Sequence, residues 1–132
     1  MIKLRFTFLS ALIAGAAFAA PALALDNPLV VDLHAVNGAQ RQASATIFGS
    51  GSSVLVNVTA QRAPKAAAVT LNDGDCAKPG DIAFALSALA DNQSLTKLEH
   101  PLADIAGKAK SMVIHQTSSL TSPAFACGNV SS

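Results

Sequence analysis

The sequence predicts an all-β domain, a sandwich or barrel of eight strands, on three observations. Eight short β-rich runs follow one another at regular spacing. Clusters of Gly, Asn, Asp, Ser and Pro separate them. The runs alternate with turns and not with helical patterns, which argues against βαβ units.

The first run, Pro28 to Val36, alternates loosely and ends at Asn37-Gly38, a hairpin signal. Ala43 to Phe48 and Ser53 to Thr59 flank a second hairpin turn, Gly49-Ser50-Gly51-Ser52. Val54, Val56 and Val58 share one strand face, Ser53, Asn57 and Thr59 the other, and Leu55 is the exception. Ala66 to Leu71 runs into the turn Asn72-Asp73-Gly74-Asp75. After Pro79-Gly80, bulky and small residues alternate from Ile82 to Leu86, although the Ala-rich stretch 82–90 also has helical propensity. Asp91-Asn92 turns the chain into Ser94 to Leu98. Lys110 to His115 and Ala124 to Val130 complete the eight, and Val130 to Ser132 reads as a frayed end.

Ahead of this domain stands a leader. Lys3 and Arg5 precede an apolar stretch from Phe6 to about Ala20, and Pro21-Ala22-Leu23-Ala24 offers small residues for cleavage before Leu25. These are the three parts of a secretory signal, so the chain divides into a signal peptide (1–24) and one domain (25–132), destined for the periplasm or for secretion. A membrane anchor is the rival reading, but it wants about 20 unbroken apolar residues. No membrane span is expected after cleavage.

The whole chain has nine Lys and Arg against eight Asp and Glu. Without Lys3 and Arg5 the balance becomes −1, with the charges scattered singly. No basic stripe suits nucleic acid or an anionic membrane surface. Cys76 and Cys127 are the two cysteines, and an exported pair is normally a disulfide. It closes a loop worth roughly 4 kcal/mol of chain entropy. No C-x-x-C, H-E-x-x-H or G-x-S-x-G is present. Gly49 to Ser52 lacks the Gly-Lys of a phosphate loop. Asp73 and Asp75 read as turn residues, because the run is too short to supply calcium with six ligands. Asn57, Asn92 and Asn129 begin glycosylation sequons, which arise readily by chance in a chain rich in Ser and Thr.

The order Thr46-Ile47-Phe48, Gly74-Asp75-Cys76, Val113-Ile114-His115 and Ala126-Cys127-Gly128-Asn129-Val130 carries a resemblance. It is similar to the copper,zinc superoxide dismutases, with their "G-F-H-x-H-E-x-G-D-C" segment, "V-V-H" strand and closing "R-x-A-C-G-V-I". The resemblance covers about residues 29–130 and implies an eight-stranded Greek-key β-barrel with one disulfide. Counted back from Cys76, two copper-histidine positions of the family fall on Val69 and Leu71, and its glutamate falls on Asn72. Only Ala77-Lys78-Pro79-Gly80 separates Cys76 from Asp81, so the zinc-binding loop is missing. The guiding arginine is replaced by Ala124, and Gln116 to Pro123 bears no charge. His115 alone stands at a copper-ligand position.

One imidazole cannot sustain copper redox cycling. His115 then reads either as a leftover strand histidine or as an adventitious copper or haem ligand, and His34 and His100 as surface or turn histidines. The leading expectation is a non-catalytic, degenerate superoxide dismutase-like module that needs no cofactor and binds a protein partner or a second copy of itself. The alternative is a weak copper protein, or a residual dismutase, that uses His115 with His34 or His100. An immunoglobulin-like sandwich ranks last, since the chain has no Trp and no Tyr. In the family register Val69 and Leu71 point outward with Ala67, Ala68 and Thr70 point the other way, and Val113 and His115 share a face of the neighbouring strand. Val69, Leu71, Val113 and His115 are therefore the candidate interface.

Overall fold

Alternating apolar side chains turn one face of most strands toward a shared interior, and eight strands wrap into a nearly closed antiparallel barrel. The structure is a computed structural model that describes residues 28–36, 38 and 40–130. The expected signal peptide, Asn37 of the first hairpin and the last two residues lie outside the described residues. The strands are β1 (Leu29–Ala35), β2 (Arg41–Ser50), β3 (Ser53–Ala60), β4 (Val69–Asn72), β5 (Ile82–Leu86), β6 (Gln93–Leu98), β7 (Ser111–His115) and β8 (Ala124–Asn129). One helix, α1 (Leu102–Lys108), lies between β6 and β7.

The strands run in the order β5-β4-β7-β8-β1-β2-β3-β6, each pair antiparallel. The two ends of that order share no ladder. They are joined where the Ser87 N–H donates to Thr96 Oγ1 (2.8 Å) and Ser94 Oγ donates to the Ser87 carbonyl (2.6 Å). The core holds Val31, Leu33, Ile47, Val56, Val58, Leu71 and Ile114. Val54, Val56 and Val58 point into it as alternation requires, and Leu55 faces solvent.

Turn chemistry is also as expected. Gly51 adopts φ +62° in the β2–β3 hairpin, a conformation open to glycine without penalty. Asp91 and Asn92 are both left-handed (φ 52° and 64°), and Ala90 and Gln93 exchange backbone hydrogen bonds of 2.8 and 3.0 Å across them. That is the geometry of a two-residue hairpin turn. Of the Ala-rich stretch 82–90, only Ile82–Leu86 forms regular structure, and it is a strand.

The helix was not foreseen. With seven residues it completes less than two full turns, too few for a helical period to emerge from the sequence. It starts after Pro101, whose carbonyl accepts from the Asp104 and Ile105 N–H groups. Its anchor is Ile105, fully buried in the core.

The outward orientation of Val69 and Leu71 is corrected. Both are fully buried, on the core face of β4 opposite Ile114 and Met112. Ala67 is buried in the core with them. Thr70 and Asn72 occupy the other face, opposite Val113 and Ser111, so His115 shares a face with Thr70 and not with Val69. Val113 and His115 are buried too, which leaves none of the four candidate interface residues exposed. The reason is that β4 and β7 are covered on both faces. The interior packs one side, while the segments after β4 and after β7 fold over the other.

Candidate functional site

Two loops cover the outer face of β4 and β7. The first follows β4 and is pinned by the disulfide between Cys76 and Cys127, the latter paired with Val113 on the same face. The Cys76 N–H donates to Asn129 Oδ1 (2.8 Å), and Ser111 Oγ donates to the Gly74 carbonyl (2.6 Å). Within this loop Asp73 Oδ1 accepts from the Asp81 N–H and Asp75 Oδ1 from the Lys78 N–H. Their carboxylates are thus committed to the turn. The second loop, Gln116 to Pro123, is held by its own hydroxyls, with Ser122 Oγ bonded to the Ser119 carbonyl (2.8 Å).

His115 joins the two layers. Its Nδ1 lies 2.8 Å from the Ser122 carbonyl, which can only accept, so Nδ1 carries the proton and donates. Its Nε2 lies 2.9 Å from Thr70 Oγ1, which is itself 2.7 Å from Asn72 Oδ1. The single Thr70 hydroxyl proton therefore stands between two acceptor atoms. Asn72 Nδ2 reaches the Gly80 carbonyl at 3.4 Å and extends the chain to the first loop. Thr70, Asn72 and His115 are all buried, so each bond made here avoids the cost of a dry, unpaired polar group.

A hydroxyl, an imidazole and an orienting oxygen in line form the outline of a nucleophile–base pair. Thr70 has no exposed surface, however, and no substrate atom can reach its hydroxyl. The arrangement works as a latch between strands and loop. Nor do these residues fit a copper or zinc centre. Both ring nitrogens of His115 are already engaged, and among the described residues no three His, Cys, Asp or Glu side chains gather as a metal site. His34 is exposed on β1, opposite Cys127. His100 lies edge-on to Phe84, with ring centroids 5.1 Å apart.

A cleft of about 470 Å³ opens beside this network, between Pro79–Ile82 and Leu120–Ser122, with Asn72 and His115 in its wall. Another, of about 430 Å³, lies between Ala63–Ala66 and Leu89–Asn92, where Asn92 Oδ1 accepts from the Ala63 N–H. Thr70, Asn72, Ser111 and Ser122 escaped the sequence reading as site residues. Their signal was present in Val69-Thr70-Leu71-Asn72, where apolar and polar residues alternate and the apolar pair belongs inside. The facing expected from counting back from Cys76 is the reverse of the one observed.

No family model matches the chain, and no curated protein or solved structure matches it.

Proposed function

We propose that the mature chain is an exported, non-catalytic barrel of the superoxide dismutase-like Greek-key type, serving as a binding or structural module. The observation that carries this reading is the state of His115. It is the one histidine at a copper-ligand position, and the protein itself engages both of its nitrogens. Beside it the outer face presents Thr70 and Asn72, neither of which is a copper ligand of the family type.

Connectivity supports the fold half of the proposal. The meander β1-β2-β3 is left for the β4–β5 hairpin on the other side of the barrel, and the chain then returns as β6 beside β3. On the other margin of the meander β8 returns beside β1, and the spatial order β8-β1-β2-β3, with a distant strand beside the first of three consecutive ones, has the Greek-key form. Export is supported by the leader and by a disulfide suited to an oxidising compartment.

The test is copper and zinc content of protein purified from the exporting compartment, followed by a dismutation assay after copper loading and removal of free metal. The expected result is substoichiometric metal and no turnover above background. Near-equimolar copper, or turnover abolished by His115→Ala, overturns the proposal.

A further inference from the structure

The cleft beside His115 has a polar floor and two apolar lips. Asn72 and His115 are both more than nine-tenths buried (5% and 6% exposed) and both form part of its wall. Ile82 (39% exposed) and Leu120 (43%) stand on its opposite sides, one on each covering loop. At about 470 Å³ the space has the size that small organic ligands occupy. The other large cleft, beside Asn92, has no buried polar side chain in its wall.

The polar floor holds one donor without a partner. Both His115 nitrogens are engaged, and Asn72 Oδ1 is bonded to Thr70. The Gly80 carbonyl can only accept, so it faces Asn72 Nδ2 and fixes which way the amide is turned. Nδ2 carries two protons, and the long 3.4 Å contact to Gly80 uses at most one of them. The second has no acceptor among the described residues. A buried N–H left in that state costs free energy, which an acceptor atom in the cleft would return.

Charge narrows the class of molecule that fits. Asp81 is the only Asp, Glu, Lys or Arg in the wall, and it forms no ion pair among the described residues. An anion entering the cleft meets that carboxylate, and the loop from Gln116 to Pro123 has no charge to offset it. A cation can pair with Asp81, but Asp81 is exposed, where such a pair is worth little. An ammonium group also offers no acceptor to Asn72.

We infer that this cleft binds a small uncharged organic molecule with a carbonyl-type acceptor. The acceptor takes the spare Asn72 Nδ2 proton, and the apolar body lies between Ile82 and Leu120. The inference deepens the binding half of the proposed function and rests on it. Metal content and dismutation are read separately, so either can fail without the other.

Amide NMR spectra of the exported, oxidised protein test it, with benzamide and acetophenone as neutral probes and benzoate and benzylammonium as charged ones. The neutral probes, at millimolar concentration, are expected to shift the Asn72 side-chain amide and the backbone amides of Gly80 to Ile82 and Leu120 to Ser122 in a saturable way. Benzoate and benzylammonium bind about fivefold more weakly or worse. Leu120→Ser, at a side chain the fold leaves exposed, weakens benzamide by about fivefold while the melting temperature holds. Asp81→Asn lets benzoate bind at least as tightly as benzamide. The inference is overturned if neither neutral probe gives saturable shifts at these residues. It is overturned equally if a charged probe binds the parent protein as tightly as benzamide, or if benzamide binding is indifferent to Leu120→Ser.

Discussion

Val69 and Thr70 are neighbours in the chain, yet one packs the barrel interior and the other ties a strand to a loop. Thr70 therefore matters through its hydroxyl and not through its volume. In Thr70→Val the shape is kept, but His115 Nε2 and Asn72 Oδ1 lose a common partner in a buried setting. The expected loss is about 1–3 kcal/mol of unfolding free energy, read by urea denaturation, with Thr70→Ser close to the parent. Gly128 is constrained by space. A Cβ there would run into the Asp32 backbone carbonyl of β1, and backbone cannot step aside as a side chain can. Gly128→Ala is expected to cost about 1–3 kcal/mol or more in the same assay.

Among the elements, α1 and the disulfide loop carry opposite expectations. Gly107 lies inside α1 with open space around it. A methyl group there meets no neighbour and restricts the unfolded chain, so Gly107→Ala should raise stability by about 0.4–1 kcal/mol, visible as a higher melting temperature. The Cys76–Cys127 bridge closes a 51-residue separation and pins the loop that covers β4 and β7. Cys76→Ser, or reduction, is expected to cost about 2–5 kcal/mol. Hydrogen exchange should then rise first along that loop, because its other ties are isolated hydrogen bonds to Asn72, Ser111 and Asn129.

For the molecule as a whole, the proposed export has a measurable consequence. Intact mass of the exported protein should correspond to a chain that begins at Leu25 and lacks two free thiol protons. A mass that retains residues 1–24 contradicts the leader reading. Variants around His115 test the metal argument on the β5-β4-β7-β8 side of the barrel.

The strand inventory was legible in the sequence because most strands have one wet and one dry face. Val54 to Thr59 alternates in period two, and the turns at Gly51 and Asp91-Asn92 carry residues that left-handed backbone demands. The disulfide was legible for a similar reason, since two cysteines in a chain read as exported leave one pairing. What escaped was decided by covering. Val69, Leu71, Val113 and His115 looked like one surface, but loops pinned by Cys127 and by the Ser122 carbonyl bury the outer side of those strands. A strand dry on both faces no longer reveals which face is which from exposure alone. The fully buried Ile105 of α1 escaped as well, because a seven-residue segment whose large apolar side chains are Leu102 and Ile105 is too short to show a helical period until a core receives it. Only the folded chain could show that four of the seven exposed large apolar side chains of the described residues gather on the opposite side of the barrel. Val30, Phe48, Leu55 and Leu95 come from four different strands, and pairing between strands distant in sequence is what makes them neighbours.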